Sequence, residues 1–289
     1  MNKLMQLANR IEFSNIKNSS KFNSFLKITK KFIAFTLAET LIVMGVIGIV
    51  AALTIPNLNS STGNKEKVTR VKKIYAQLSE AHDRATAVYG PVENWFTNLG
   101  CTNFGEYDAC SLKYFDRISE FMKMSKICRT EDNNCFITGW IPALSESASS
   151  TQDIQGYPSA VLADGTSISI KANSSGDGCA TSYVTANEQC GEIVVDIDGP
   201  NKGKNTEGID IFHFYFTRDG IKPHRTDSLS WESIDCFFYG VYCAVWVLEN
   251  DNMDYLLTKD KSTKEKAAIC PNNNTLSWET IPWTVTSCK

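Results

Sequence analysis

The sequence predicts an α+β fold, with one long N-terminal helix laid against a C-terminal antiparallel sheet whose domain is stapled by disulfides. Three observations carry this. An apolar run at 35–55 is followed by an amphipathic stretch of helical period up to residue 90. Short apolar runs punctuated by Asp-Gly turns occupy 160–248. All ten cysteines lie between 101 and 288. Helix first and strands later is the pattern of an α+β domain rather than of alternating βαβ units.

The apolar run reads FTLAETLIVMGVIGIVAALTI. Its 21 residues would rise about 31 Å as a helix, close to the hydrocarbon thickness of a bilayer. Glu39 stands inside it. A carboxylate within such a segment costs roughly 2.5–3.5 kcal/mol at the helix centre and less toward the interface, which marks Glu39 as a functional residue. Residues 1–34 hold seven basic side chains and one acid, Glu12, a +6 arm that belongs on the cytoplasmic side. Removing that arm from the chain's net charge of −3 leaves −9 for residues 35–289. The acidic remainder argues against nucleic-acid binding.

Beyond the run, Val68, Val71, Ile74, Tyr75, Leu78, Ala81, Ala85 and Val88 recur at three- and four-residue steps, one helical face. The pattern predicts that the helix breaks at 56–63, where Pro56 stands, resumes, and stops at Tyr89-Gly90-Pro91. Four segments follow: a basic leader at 1–34, a membrane-spanning half-helix at 35–56, its amphipathic continuation at 57–90, and an exported globular head at 91–289.

In the head, strands are predicted at 160–162, 167–171, 192–197, 209–217 and 243–248, with turns at Asp164-Gly165, Asp198-Gly199-Pro200 and Asp219-Gly220. Segments 91–150 and 172–190 are rich in Ser, Asn and Thr and yield no strand. The ten cysteines form an even set in a domain expected to meet an oxidising compartment, so disulfides are the first reading. Spacing suggests neighbours: Cys101 with Cys110, Cys128 with Cys135, Cys179 with Cys190, Cys236 with Cys243, and Cys270 with Cys288. No C-x-x-C occurs and the three histidines are scattered, so zinc-ligand spacing is absent. Neither G-x-S-x-G, a P-loop nor H-E-x-x-H is present, and the chain is not expected to be an enzyme.

One loop offers hard oxygen ligands of the kind Ca²⁺ prefers: Asp196, Asp198, Asn201 and Asp210, among Gly199, Gly203 and Gly208. It is not an EF-hand, because Pro200 occupies the fifth ligand position. Hairpin turn chemistry accounts for the same residue types.

The series Ala34-Phe35-Thr36-Leu37-x-Glu39, behind a basic leader and ahead of an apolar helix, resembles the N-terminus of type IV prepilins and type II secretion pseudopilins. The resemblance implies that a prepilin peptidase cuts between Ala34 and Phe35, where the family usually has Gly before the cut, and that the new amine of Phe35 is methylated. It implies that Glu39 neutralises that amine in a neighbouring subunit and that the helix bends near Pro56. A second stretch, 191–223 with 243–256, is similar to the C-terminal sheet of bacterial pilin-like proteins, including a Trp-containing strand. Major pseudopilins carry calcium in a late loop of the head, which the acidic loop resembles.

The function expected from the resemblance is a structural subunit of a pilus or secretion filament. It would begin as a single-pass protein of the cytoplasmic membrane with its head outside. Its partners would be other pilin subunits, the prepilin peptidase and the inner-membrane assembly platform. The large head also suits a minor, tip or secretion-piston subunit. From another class, a signal-anchored binding protein that never polymerises, or a secretory signal cut after Ala51 or Ala52, would share the apolar run.

Overall fold

The computed structural model describes residues 36–96, 99, 109–129, 135–137, 139, 141–142, 157–172, 179, 189–200, 202–223, 236, 240, 242–258, 268–276 and 285–288, with backbone only at 51–62, 141–142 and 268. Helix α1 runs from Leu37 to Tyr89. The chain divides into two compact units, Met1–Pro56 and Asn57–Lys289.

In the first unit the backbone is helical from Leu37 onward, and the described side chains up to Val50 are exposed. Leu41, Ile42, Val43, Met44, Val46, Ile47, Ile49 and Val50 are 53–74% exposed. Among the described residues no helix is long and apolar enough to cross a membrane. The spanning length counted on the sequence extends to Ile55, past the last side chain of the run that is described. Where the sequence predicts a break at 56–63, the backbone stays helical. Proline removes one hydrogen bond and costs about 3 kcal/mol inside a helix, yet propagation from both sides adds a bond per residue once the helix exists. Pro56 instead coincides with the boundary between the units.

The second unit is an α+β domain. Its sheet contains β1 (Met124–Cys128), β2 (Ile141–Pro142), β3 (Ser159–Leu162), β4 (Ser167–Ala172), β5 (Gln189–Asp196), β6 (Thr206–Glu207), β7 (Ile211–Thr217) and β8 (Gly220–Pro223). The order is β1-β3-β4-β5-β7-β6-β2, with β8 also paired to β7. The hairpins β3–β4 and β7–β8 and the β4–β5 and β5–β7 ladders are antiparallel. The short pairs β2–β6 and β6–β7 are parallel, in an otherwise antiparallel sheet. A separate two-stranded sheet pairs β9 (Ala268–Ile269) with β10 (Thr275–Leu276).

The alternation of side chains along each strand makes two faces. Ile168, Ile170, Ile193, Val195, Phe212, Phe214 and Phe216 join the core that also contains Val68, Val71, Ile74, Leu78, Ala81 and Ala85 of α1. Tyr75 stacks on Phe214 at 5.7 Å and donates its hydroxyl to the Ile221 carbonyl at 3.2 Å. The helical face predicted from spacing is thus the buried one, except at its last member. Val88 is 62% exposed, because α1 ends at Tyr89 and the chain turns away through Gly90 at φ +79°. On the other face Val194 and Ile211 pack with Phe136, Ile137 and Tyr157 in a smaller cluster.

Three further elements differ from expectation. The stretch predicted as a Trp-containing strand at 243–248 is helix α3 (Ala244–Asn250), with Trp246 and Val247 buried. Its apolar run is as consistent with one buried helical face as with a strand, and Asp251, in the left-handed region at φ 58°, ends it by donating its N–H to the Val247 carbonyl. Helix α2 (Ala109–Ser119) and strand β1 arise in the segment where no strand was predicted. Tyr114 and Phe115 of α2 enter the core, Tyr114 stacking on Phe216 at 3.7 Å.

Candidate functional site

At the start of α1, the Thr36 N–H donates to Glu39 Oε2 at 2.8 Å and the Thr36 hydroxyl donates to the same oxygen at 2.9 Å. The Glu39 N–H donates back to Thr36 Oγ1 at 3.2 Å. This is a capping box, with Thr36 as N-cap and Glu39 three residues on, and it satisfies two amide donors that a helix start leaves open. A carboxylate in the first turn also faces the positive end of the helix dipole. Glu39 therefore has a local structural role in addition to the one the resemblance implies. Ala34 and Phe35 lie outside the described residues. Pro56 is described through its backbone alone, within α1.

The head is closed by disulfides. Cys128 is joined to Cys135, Cys179 to Cys190, Cys236 to Cys243 and Cys270 to Cys288, each between sequence neighbours. Cys110 is also disulfide-bonded, while Cys101 lies outside the described residues. The C-terminal staple is reinforced by Asp254, whose Oδ2 accepts from the Ser287 hydroxyl and the Cys288 N–H, both at 2.8 Å. Asn272 donates to the Cys288 carbonyl at 2.8 Å and Asn252 to that of Thr286 at 2.8 Å. The last described residues are thus tied to the 3-10 turn at Asp254–Leu257 and to the β9–β10 hairpin.

The acidic loop brings some of its predicted members together. Asp196 ends β5, and its Oδ1 accepts from the N–H groups of Asp198 at 3.2 Å and Gly199 at 2.9 Å, the bond pattern of an Asx turn. Asp210 Oδ1 accepts from the Thr206 N–H. Gly203, at φ +69°, leaves the room these acids occupy. A Cβ there would lie 2.6 Å from Asp210 Oδ2 and 2.7 Å from Asp198 Oδ2. Among the described residues, Asp196 Oδ2 and Asp198 Oδ1 are buried without a hydrogen-bond partner. Burial, followed by the neighbouring Asp198 carboxylate, pushes Asp196 up to about 8, and burial raises Asp210 as well, partly offset by Lys67 of α1. Asn201 lies outside the described residues. Among those described, no group of three or more His, Cys, Asp or Glu side chains is arranged to hold a metal ion.

A second charged group was missed in the sequence. His213, buried in β7, sits with Nδ1 2.5 Å from Glu192 Oε1 and Nε2 3.0 Å from Glu207 Oε1. Burial alone would lower its pKa, but the two carboxylates overcome this and raise it to about 10, so the imidazolium bridges them. The Tyr242 ring meets the imidazole edge-on at 5.1 Å. Glu192 pairs with Tyr215 and Val194 with His213 across the β5–β7 ladder, which makes Glu192 and His213 diagonal neighbours on one face. That register was the signal that could have found them. Glu207, on a two-residue strand, had none.

The chain matches no protein-family model, no curated protein and no solved structure.

Proposed function

We propose that this chain is a structural subunit of a type IV pilus or a type II secretion-like filament. The observation that carries the reading is a helix start whose apolar side chains are exposed all round while a glutamate sits in its first turn. A water-facing helix does not present Leu37, Leu41, Ile42, Met44, Ile47 and Val50 on every side; these need lipid or other helices around them.

In this account the basic leader stays in the cytoplasm and the prepilin peptidase releases Phe35. Residues 35–56 hold the subunit in the cytoplasmic membrane until the assembly platform extracts it. In the filament the same apolar surface packs against neighbouring helices, and Glu39 meets the methylated amine of Phe35 in an adjacent subunit. An unpaired carboxylate in an apolar bundle is costly, so this pair selects the register of assembly. Thr36 holds the carboxylate in place through the capping box. The head, stapled by short disulfide loops, lies outside. Its size, residues 91–289, favours a minor or tip position over dense tiling. The test is fractionation: cells with the prepilin peptidase should release the protein with sheared filaments, and cells without it should keep the uncut chain in the membrane. Release that ignores the peptidase would favour a signal-anchored binding protein.

A specific observation favours a second role for the head. The acidic loop offers only oxygen donors, and Asp196 is fully buried with one carboxylate oxygen unbonded. A hard cation would relieve that burial and let Asp196 ionise below its raised pKa. Asp196 and Asp198, with Asp210 beside Gly203, are the acids nearest such an ion; they do not by themselves make a metal centre, so its remaining ligands would be backbone carbonyls and water. Calcium should raise the melting temperature of the head relative to chelator, the gain growing as pH rises toward 8, and Asp198→Asn should remove it.

A further inference from the structure

The second unit contains a cavity of about 290 Å³ between α1 and the α2–β1 connection. Gln77, Glu80 and Arg84 line it from α1 at helical spacing, Phe121 and Lys123 from the connection, and Leu162 from the end of β3. The volume falls just below the roughly 300–1,000 Å³ of small-molecule sites and suits one or two amino-acid side chains. Its lining mixes apolar Phe121, Met122 and Leu162 with charged Glu80, Arg84 and Lys123.

Glu80 is engaged by Arg84 at 3.4 Å, and the Arg84 guanidinium lies 5.2 Å over the Phe121 ring, which holds it at the rim. Lys123 is exposed, and among the described residues no carboxylate lies within ion-pair distance of it. Gln77 Oε1 is buried with no hydrogen-bond partner. Two cations against one paired acid leave the cavity positive on a chain that is −9 beyond its leader. We infer that this cavity is a socket for an acidic side chain from the head of a second copy of the chain.

The inference rests on the filament reading above and names one contact within it. Two sockets facing each other would set Arg84 and Lys123 against their own counterparts, so the interface is heterologous, with the socket of one copy meeting a different, acidic surface of the next. Heterologous contacts that do not close generate open filaments. The occupant's carboxylate pairs with Lys123 and Arg84, and its methylene stem lies on Phe121 and Leu162.

The test places a photo-crosslinking residue at Met122, which lines the cavity beside Lys123 and carries no charge, in the full-length chain expressed with its assembly machinery. Irradiation should yield a dimer of this chain, and peptide mapping should locate the crosslink beside an Asp or Glu of the partner copy's head. Lys123→Glu combined with Arg84→Glu should cut filament yield about tenfold, because like charges across an interface are strongly disfavoured. Lys123→Arg with Arg84→Lys should keep it. Filaments that assemble at wild-type yield with the crosslinking residue but give no dimer through it, or crosslinks only to other proteins, would overturn the socket and leave the filament reading standing. A wild-type chain that is never cut and never assembles would remove both.

Discussion

Leu41 and Leu78 lie on one continuous helix, yet Leu41 is 64% exposed and Leu78 is 1% exposed. The difference shows where each part of α1 finds its apolar environment. From Val68 onward the helix has a sheet to cover one stripe, and its other positions carry Lys, Arg, Glu and Asp. From Leu37 to Val50 the apolar side chains form no single stripe and are exposed. Burying a large aliphatic side chain is worth about 1.5–3 kcal/mol, so full burial of the nine exposed ones in that stretch would be worth on the order of 14–27 kcal/mol. The described part of the second unit has a core of its own; the described helix start contributes no side chain to one.

The largest effect that tests this contrast is at Glu39. Glu39→Ala should still be inserted and cut but lose filament yield about tenfold or more, since the proposed account needs its carboxylate to pair with a neighbouring subunit's amine. Glu39→Gln separates the two roles of the residue, because Gln at this position also closes a capping box. A Gln variant that assembles like wild type would reduce Glu39 to a cap; one that fails like Ala would show that the charge is needed.

Next are changes confined to the head. Trp246→Ala removes one of the largest fully buried side chains and should destabilise the head by about 3–5 kcal/mol in denaturant melts. Peptidase cleavage, which reads only the helix start, should be unaffected. Cys270→Ser with Cys288→Ser should cost about 2–4 kcal/mol, with the tail still partly held by Asp254.

The His213 clamp gives a pH signature. Its folded pKa of about 10 lies above the ordinary value of 6.5, so the folded state holds the proton more tightly. The contribution is complete below about pH 6.5 and is lost as pH rises toward 10. Urea melts of wild type should therefore weaken across that window, and His213→Gln should be destabilised at pH 6 but show a flatter profile. The smallest effect belongs to Val88. Val88→Ser should fall within about 0.5 kcal/mol of wild type, as for other exposed positions, although it shares the helical period of the buried face.

Where periodicity and burial coincide, the fold was legible. The spacing from Val68 to Ala85 marked the packed face, and the Asp-Gly turns at 164–165 and 219–220 marked two hairpins. The α3 segment was not legible, because a run such as AVWVL satisfies a strand and a buried helix equally, and the left-handed Asp251 that ends it carries a weak sequence signal. Helix α2 was hidden among polar residues, although Tyr114, Phe115 and Ile118 already had helical spacing. At the candidate site, Glu39 stood out as a charge in an apolar run. Its capping partner Thr36 lies three residues before it but was read only as part of the motif. The His213 clamp draws its members from three strands, so it required a register that local patterns do not supply.

The most direct test is the intact mass and N-terminal sequence of the chain expressed with and without a prepilin peptidase. The account predicts a peptidase-dependent product that begins at methylated Phe35. An uncut chain, or a cut near Ala52 that occurs without the peptidase, would contradict it.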